Sequence, residues 1–223
     1  MALLKNTKKV TKNNLLLEHL FLFKNHLGSR SSFRNRNIDE YIFGEDTLSN
    51  TIFNVEKTLV LFRRALNFLL LIKKENKQIL FVGTGPKTRK LTKFVGMSTN
   101  QPYVQTRWVK GLLTNWESIS SSVKFYNLFL KRLDLSKKAE QKLKQTFEGI
   151  HSLKELPAAV FVIDLDHDFE VVAEAKKLNI PVISIVDNNC KIMDKIDYPI
   201  LSNTGSVLPL FLIISLVVET LKK

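Results

Sequence analysis

Three observations predict an α/β fold with a parallel central sheet. Residues 78–83 (Q-I-L-F-V-G) form a continuous apolar run of strand length, the pattern of a strand covered on both faces, and 158–164 and 182–186 read as further strands. From Pro157 onward, strand-like and helix-like segments alternate at the spacing of strand–helix–strand units. The chain has 223 residues and 44% hydrophobic content, enough to bury a substantial core.

Residues 1–14 show little apolar periodicity and read as a flexible basic arm, whereas the apolar stretch 15–23 suits a short packed helix. Residues 25–37, rich in Ser, Asn and Arg, read as a loop. A helix is expected from Asn54, its N-cap, to Lys73 and Lys74, with Glu56 in the first turn and Val55, Leu59, Phe62 and Leu66 at helical spacing. The strand 78–83 opens into Gly83-Thr84-Gly85, and Pro86 suits the first turn of the next helix. A second short strand is centred on Tyr103 and Val104. Thr114 and Glu117 have capping-box spacing, so a helix is expected from Thr114 to about residue 133. Another follows at 136–147, and the short link makes the two an antiparallel hairpin. Then come a strand at 158–164, a helix at 168–178 stopped by Asn179, strands at 182–186 and 198–201, and a last helix from Ser206. The apolar run 207–218 is shorter than the roughly 20 residues a membrane crossing needs and reads as a buried helix; no membrane partner is expected.

The net charge of +13 calls for an anionic partner, with nucleic acid first. The charge is uneven: +5 over residues 1–40, zero over 41–72, +12 over 73–145 and −4 over 146–223. The basic N-terminus has no acid before Glu18, as in an organellar transit segment or a nucleic-acid-binding arm. Cys190 is the only cysteine, which excludes an intrachain disulfide and a cysteine-built zinc site. The four histidines are scattered without ligand spacing, so no metal and no cofactor is expected.

Four segments carry candidate chemistry. Arg30, Arg34 and Arg36 surround Phe33 among small polar residues; a solvated loop and a phosphate-tracking loop both fit. Gly83 to Thr88 resembles a phosphate loop but has Thr at position 88, where either nucleotide motif needs a glycine, which favours a turn needing glycine for its geometry. Lys87, Arg89 and Lys90 remain possible contacts to an RNA backbone. Asp164-Leu165-Asp166-His167-Asp168 lies at a strand's carboxyl end, where α/β enzymes keep their chemistry, although Asp166 or Asp168 is also explained as a helix cap. Asp187, Asn188 and Asn189 read as turn formers. The segment 107–116 (R-W-V-K-G-L-L-T-N-W) differs in kind. Arg107, Lys110, Thr114 and Asn115 offer phosphate point charge, a guanidinium fork and helix-end N–H groups, and Trp108 offers a stacking face. Trp116 reads as a core anchor.

These residues carry a resemblance. The order I-L-F-V-G-T (79–84), R-W-V-K-G-L-L-T-N-W (107–116), L-P-A-A-V-F-V-I-D-L-D-H (156–167) and N-I-P-V-I-S-I-V-D-N-N (179–189), with H-L-G, Y-I-F-G and I-F-N-V-E-K-T upstream, resembles the ribosomal protein S2 family. The resemblance spans roughly residues 19–221. It implies a flavodoxin-like three-layer αβα sandwich formed by residues 15–113 and 156–223, with residues 114–155 as a protruding antiparallel helical hairpin. It implies a structural constituent of the small ribosomal subunit that binds small-subunit rRNA and neighbouring ribosomal proteins, with no catalysis and no small-molecule substrate. Lys110 stands where the family usually has the first glycine of a pair, and Glu117 where a lysine or polar residue is common. Abundant Phe, Asn and Lys, a reduced hairpin and the divergent N-terminus point to a mitochondrial ribosome, with plastid and bacterial origins behind it. The alternative from another class is a flavodoxin-like enzyme that uses Gly83 to Lys87 and Asp164 to Asp168 on a phosphate-containing substrate.

Overall fold

The computed structural model describes residues 16–33, 35–129 and 138–222; the arm 1–14, Arg34 and the turn of the helical hairpin lie outside them. Residues 16–22 form a helix, α1. Three short strands follow, β1 (Leu27–Arg30), β2 (Ile42–Glu45) and β3 (Asn50–Phe53), paired antiparallel in the order β1-β3-β2. The expected loop at 25–37 is thus partly sheet, continued by 3₁₀ turns at Ser31–Phe33 and Arg36–Tyr41. The L-G-S-R strand is too short and polar to alternate visibly, and long-range pairing to β3 is what makes it extended.

Helix α2 (Val55–Lys74) begins at its expected cap, where the Asn54 side chain accepts from the Lys57 backbone N–H at 3.2 Å. Next come β4 (Ile79–Val82), α3 (Arg89–Thr99), β5 (Tyr103–Val104), α4 (Trp116–Phe129), α5 (Lys138–Phe147), β6 (Ala159–Val162), α6 (Leu165–Lys177), β7 (Val182–Val186), β8 (Tyr198–Leu201) and α7 (Val207–Lys222). The five later strands are all parallel, in the order β5-β4-β6-β7-β8. Counted from β4, that is 2-1-3-4-5, the flavodoxin-like order, in which the winding reverses between β4 and β6.

Strand alternation sorts the core into two layers. Ile79, Phe81, Ala159, Phe161 and Ile183 face α2, α3 and α7, meeting Phe62, Leu69, Val95, Ile213 and Val217. Leu80, Val82, Val160, Val162 and Val182 face the other way, meeting Val171, Val172 and Ala175 of α6, Val123 of α4, and Trp108, Leu112 and Leu113. Because both faces are covered, the strands are almost wholly apolar, with the buried Ser184 satisfied by donating to Val162 O. Buried apolar area contributes roughly 25 cal/mol per Å², so these two layers are the main source of stability. The apolar run near the C-terminus is a buried helix as expected, and no helix among the described residues is long and apolar enough to cross a membrane.

The helices α4 and α5 lie against each other through Tyr126 and Phe147, whose ring centroids are 5.7 Å apart. After α5 the chain meets the sheet edge, where Tyr103 N–H donates to Gly149 O at 2.9 Å. The approach is so close that a Cβ on Gly149 would stand 2.0 Å from the Tyr103 carbonyl oxygen. Only glycine fits there.

Three expected boundaries shift. Helix α3 starts at Arg89, leaving Pro86 in the preceding turn, because Thr88 and Arg89 both donate to Gly85 O before the helix proper begins. Helix α4 starts at Trp116, with Asn115 O accepting the first helical bond from Ile119. Asn115 therefore holds the cap position, and Glu117 falls one residue short of capping-box spacing. Helix α6 is capped by Asp164, which accepts from Asp166 N–H at 3.1 Å, rather than by Asp166 or Asp168.

Candidate nucleic-acid interface

In a parallel sheet all carboxyl ends lie on one edge, and the candidate residues gather there. The turn after β4 carries Lys87, Arg89 and Lys90, the loop after β5 carries Arg107 to Asn115, and the loop after β6 leads into the acidic start of α6. The loop after β7 fastens the small antiparallel sheet to the same edge. Asn188 accepts from Ser29 N–H at 2.7 Å and donates to Thr51 Oγ1 at 2.8 Å. Asp187 accepts from Ser29 Oγ at 2.7 Å, and Asn188 O accepts from Asn35 N–H at 2.8 Å. Asp187 and Asn188 are thus latches as well as turn formers, and they hold Arg30 and Arg36, both exposed, on this edge. Asp187 is buried, with no cationic partner among the described residues, so desolvation pushes its carboxyl above the ordinary range despite the hydrogen bonds from Ser29, Asn188 and Thr204.

The loop at 107–115 is shaped from beneath by one buried carboxylate. Glu174 accepts from Trp108 Nε1 at 3.0 Å, Gly111 N–H at 2.8 Å and Leu113 N–H at 3.1 Å. Charged acceptors make the stronger hydrogen bonds, so three on one carboxylate fix both ends and the middle of the loop. Trp108, Leu112 and Leu113 are drawn into the core. Trp108 is therefore an anchor and not the stacking face expected of it; the residue is only 7% exposed and its indole N–H is occupied by Glu174. Gly111 takes φ +86°, while Lys110 keeps an ordinary backbone, so the substitution of the first glycine of the pair leaves the turn intact.

What the clamp leaves outside is polar and basic. Arg107, Lys110, Thr114 and Asn115 are exposed. Lys110 Nζ meets Glu170 Oε1 at 2.9 Å, but Lys110 is 79% exposed and such a pair is worth about 0–1 kcal/mol, so it yields easily to phosphate. Arg107 has no ion pair among the described residues. Lys87 donates to Gly205 O at 2.7 Å and Arg89 Nε to Thr84 O at 2.8 Å, which steadies both without neutralising them. Lys90 is exposed on the first turn of α3.

At the switch point between β4 and β6, where a flavodoxin-like enzyme would hold its ligand, the turn after β4 is engaged from within. Thr84 donates through N–H to Asp168 Oδ2 at 2.9 Å and through Oγ1 to Asp168 Oδ1 at 2.7 Å. The amide that a phosphate would need is spent on a buried carboxylate. A Cβ on Gly85 would meet Asp164 Oδ2 at 2.5 Å, so the space above the turn is filled as well. Burial raises the Asp168 carboxyl against the pull of the Thr84 bonds. No group of three or more metal-ligating side chains occurs among the described residues.

Glu174 escaped sequence reasoning as a site residue, and Asp168, singled out for acid chemistry or as a helix cap, instead braces the turn after β4 through Thr84. Glu174 had one visible signal, an acid set among Val171, Val172 and Ala175 on the buried face of α6.

A family model described as ribosomal protein S2 matches residues 20–223. The small ribosomal subunit protein uS2 of Wigglesworthia glossinidia brevipalpis is 33% identical over 222 residues, covering 94% of this chain and 92% of that protein. The protein of the same name from Chlamydia abortus is 36% identical over 220 residues, covering 93% and 79%. That of Vibrio cholerae is 33% identical over 195 residues, covering 82% and 80%.

Proposed function

The chain belongs to the ribosomal protein S2 family, and on that premise we propose that its carboxyl edge is the surface that meets small-subunit rRNA. The protein is a structural constituent of the small ribosomal subunit, not an enzyme, with rRNA and neighbouring ribosomal proteins as partners. The observation that carries the site is the Glu174 clamp. It spends a buried carboxylate on a loop whose outer face is Arg107, Lys110, Thr114 and Asn115. A loop that only linked β5 to α4 would need no such support.

Arg107 and Lys110 supply the charge for phosphate, and Thr114 and Asn115 the hydrogen bonds at the start of α4. Lys87, Arg89 and Lys90 extend the contact along the edge, and Arg30 and Arg36 extend it on the other side. The enzyme alternative is set aside by family membership, and the Thr84 amide a phosphate would need is spent on Asp168. Replacing Arg107 and Lys110 together by alanine tests the assignment. Weaker incorporation into the small subunit is expected, with the fold intact; undiminished incorporation would remove these two residues from the interface.

We also propose that the ribosome in question is mitochondrial. Support comes from the 15 phenylalanines, the abundance of Asn and Lys, and the basic first 17 residues. Mass spectrometry of ribosomes from purified mitochondria and from cytosol tests this; recovery in the cytosolic particles alone would overturn it.

A further inference from the structure

Between the ends of β4 and β5 and the first turns of α6 lies a crevice of about 440 Å³, within the range that holds a small ligand. Its walls are of mixed charge, with Arg89, Arg107 and Lys110 on one side and Asp166, Phe169 and Glu170 on the other. Several of these groups are already engaged. Arg89 holds Thr84 O, and Lys110 pairs with Glu170. Three are not. Arg107 has no ion pair among the described residues, the Asp166 carboxylate accepts no hydrogen bond there, and Phe169 is 59% exposed. Asp166 and Phe169 both line the crevice from the start of α6, on either side of a kink at Asp168, where the backbone leaves helical geometry (φ −119°, ψ 25°).

A carboxylate turned toward a polyanion is repelled unless it meets a donor. An aromatic ring beside it offers a stacking surface, and the part of RNA that combines donors with a flat π face is an unpaired base. Of the bases, guanine sets an N1–H and an N2–H₂ next to each other on its Watson–Crick edge, matching the two acceptor oxygens of a carboxylate. Adenine and cytosine present one amino group beside an acceptor, which a carboxylate opposes.

We propose that this crevice takes a single unpaired guanine of the rRNA, its edge on Asp166, its face on Phe169 and its phosphate at Arg107. The proposal rests on the RNA-binding reading above and deepens it from phosphate contact to base selection.

Kethoxal, which modifies unpaired guanines at N1 and N2, is the probe. It is applied to small subunits assembled with the wild-type chain, with Asp166→Asn and with Phe169→Ala. Both substitutions are at exposed positions, where stability changes little. One guanine protected by the wild-type chain is expected to become reactive in both variants, with occupancy of the chain unchanged by mass spectrometry. A good two-bond base contact discriminates by roughly 5- to 150-fold, so the rise in reactivity should reach at least the lower figure. No guanine protected by the wild-type chain, or a protected guanine indifferent to both substitutions, overturns the proposal. Absence of the wild-type chain from the subunit would instead overturn the ribosomal reading beneath it.

Discussion

Replacing Glu174 by glutamine tests the clamp with the smallest change of shape. Glu174 Oε1 accepts from Trp108 Nε1 and Gly111 N–H, and Oε2 accepts from Leu113 N–H. Glutamine can keep the first two through its carbonyl, but its amide N–H₂ then faces the Leu113 N–H, donor against donor. Hydrogen bonds to a charged group are worth about 1.5–3 kcal/mol. Losing one, leaving a buried N–H unsatisfied and making two neutral costs about 3 kcal/mol in all. At about 2–4 °C per kcal/mol for a domain of this size, Tm should fall by about 6–12 °C. The assay is thermal unfolding followed by tryptophan emission in a Trp116→Phe background, where Trp108 reports alone. Its emission should shift to the red as the anchor loosens, and rRNA affinity should drop. The substitution also makes the chain more positive by one charge, which by itself would strengthen RNA binding, so weaker binding cannot come from charge. Unchanged Tm with unchanged Trp108 emission would refute the clamp.

Arg107→Ala with Lys110→Ala should lower the slope of log affinity against log salt by about 1.4–1.8, since each phosphate contact contributes about 0.7–0.9; Tm should stay within experimental error, because both side chains are exposed. Gly149→Ala should destabilise by several kcal/mol, as overpacking against backbone does, or leave the protein insoluble, because a Cβ there meets the Tyr103 carbonyl; urea unfolding or soluble yield reads it. Burial raises the Asp187 carboxyl in the folded state, so folding favours its protonated form. Its contribution to stability is greatest below its ordinary value of about 3.9 and declines as pH rises through the raised one. Asp187→Asn removes that decline, so the deficit of the variant relative to wild type, measured by urea unfolding from pH 4 to pH 7, should narrow as pH rises.

The parallel sheet was legible because its chemistry is local. Residues 79–82, 159–162 and 182–186 are apolar but for Ser184, and their covering helices carry regular stripes with recognisable stops, such as Asn179 in the left-handed region at φ 55°. The antiparallel sheet was not legible. Its strands are four residues each and are made by pairing across the turn at Asp46, whose carboxylate accepts from Leu48 and Asn50, and by the reach of Asn188 over 137 residues to Thr51. The site divides in the same way. Arg107 and Lys110 stand out by type in a loop, whereas the role of Trp108 depends on Glu174, 66 residues away, and no spacing rule connects them. Where a side chain's part is set by a partner distant in sequence, the sequence shows the residue and hides the role.

The central claim is that the chain sits in the small subunit with its carboxyl edge on rRNA. A density map of the small subunit isolated from the source cells tests it most directly. The expected result is the chain in place, with Arg107, Lys110, Thr114 and Asn115 in contact with RNA phosphates and Trp108 still held beneath by Glu174. A subunit without the chain, or one in which the loop at 107–115 faces solvent, would contradict it.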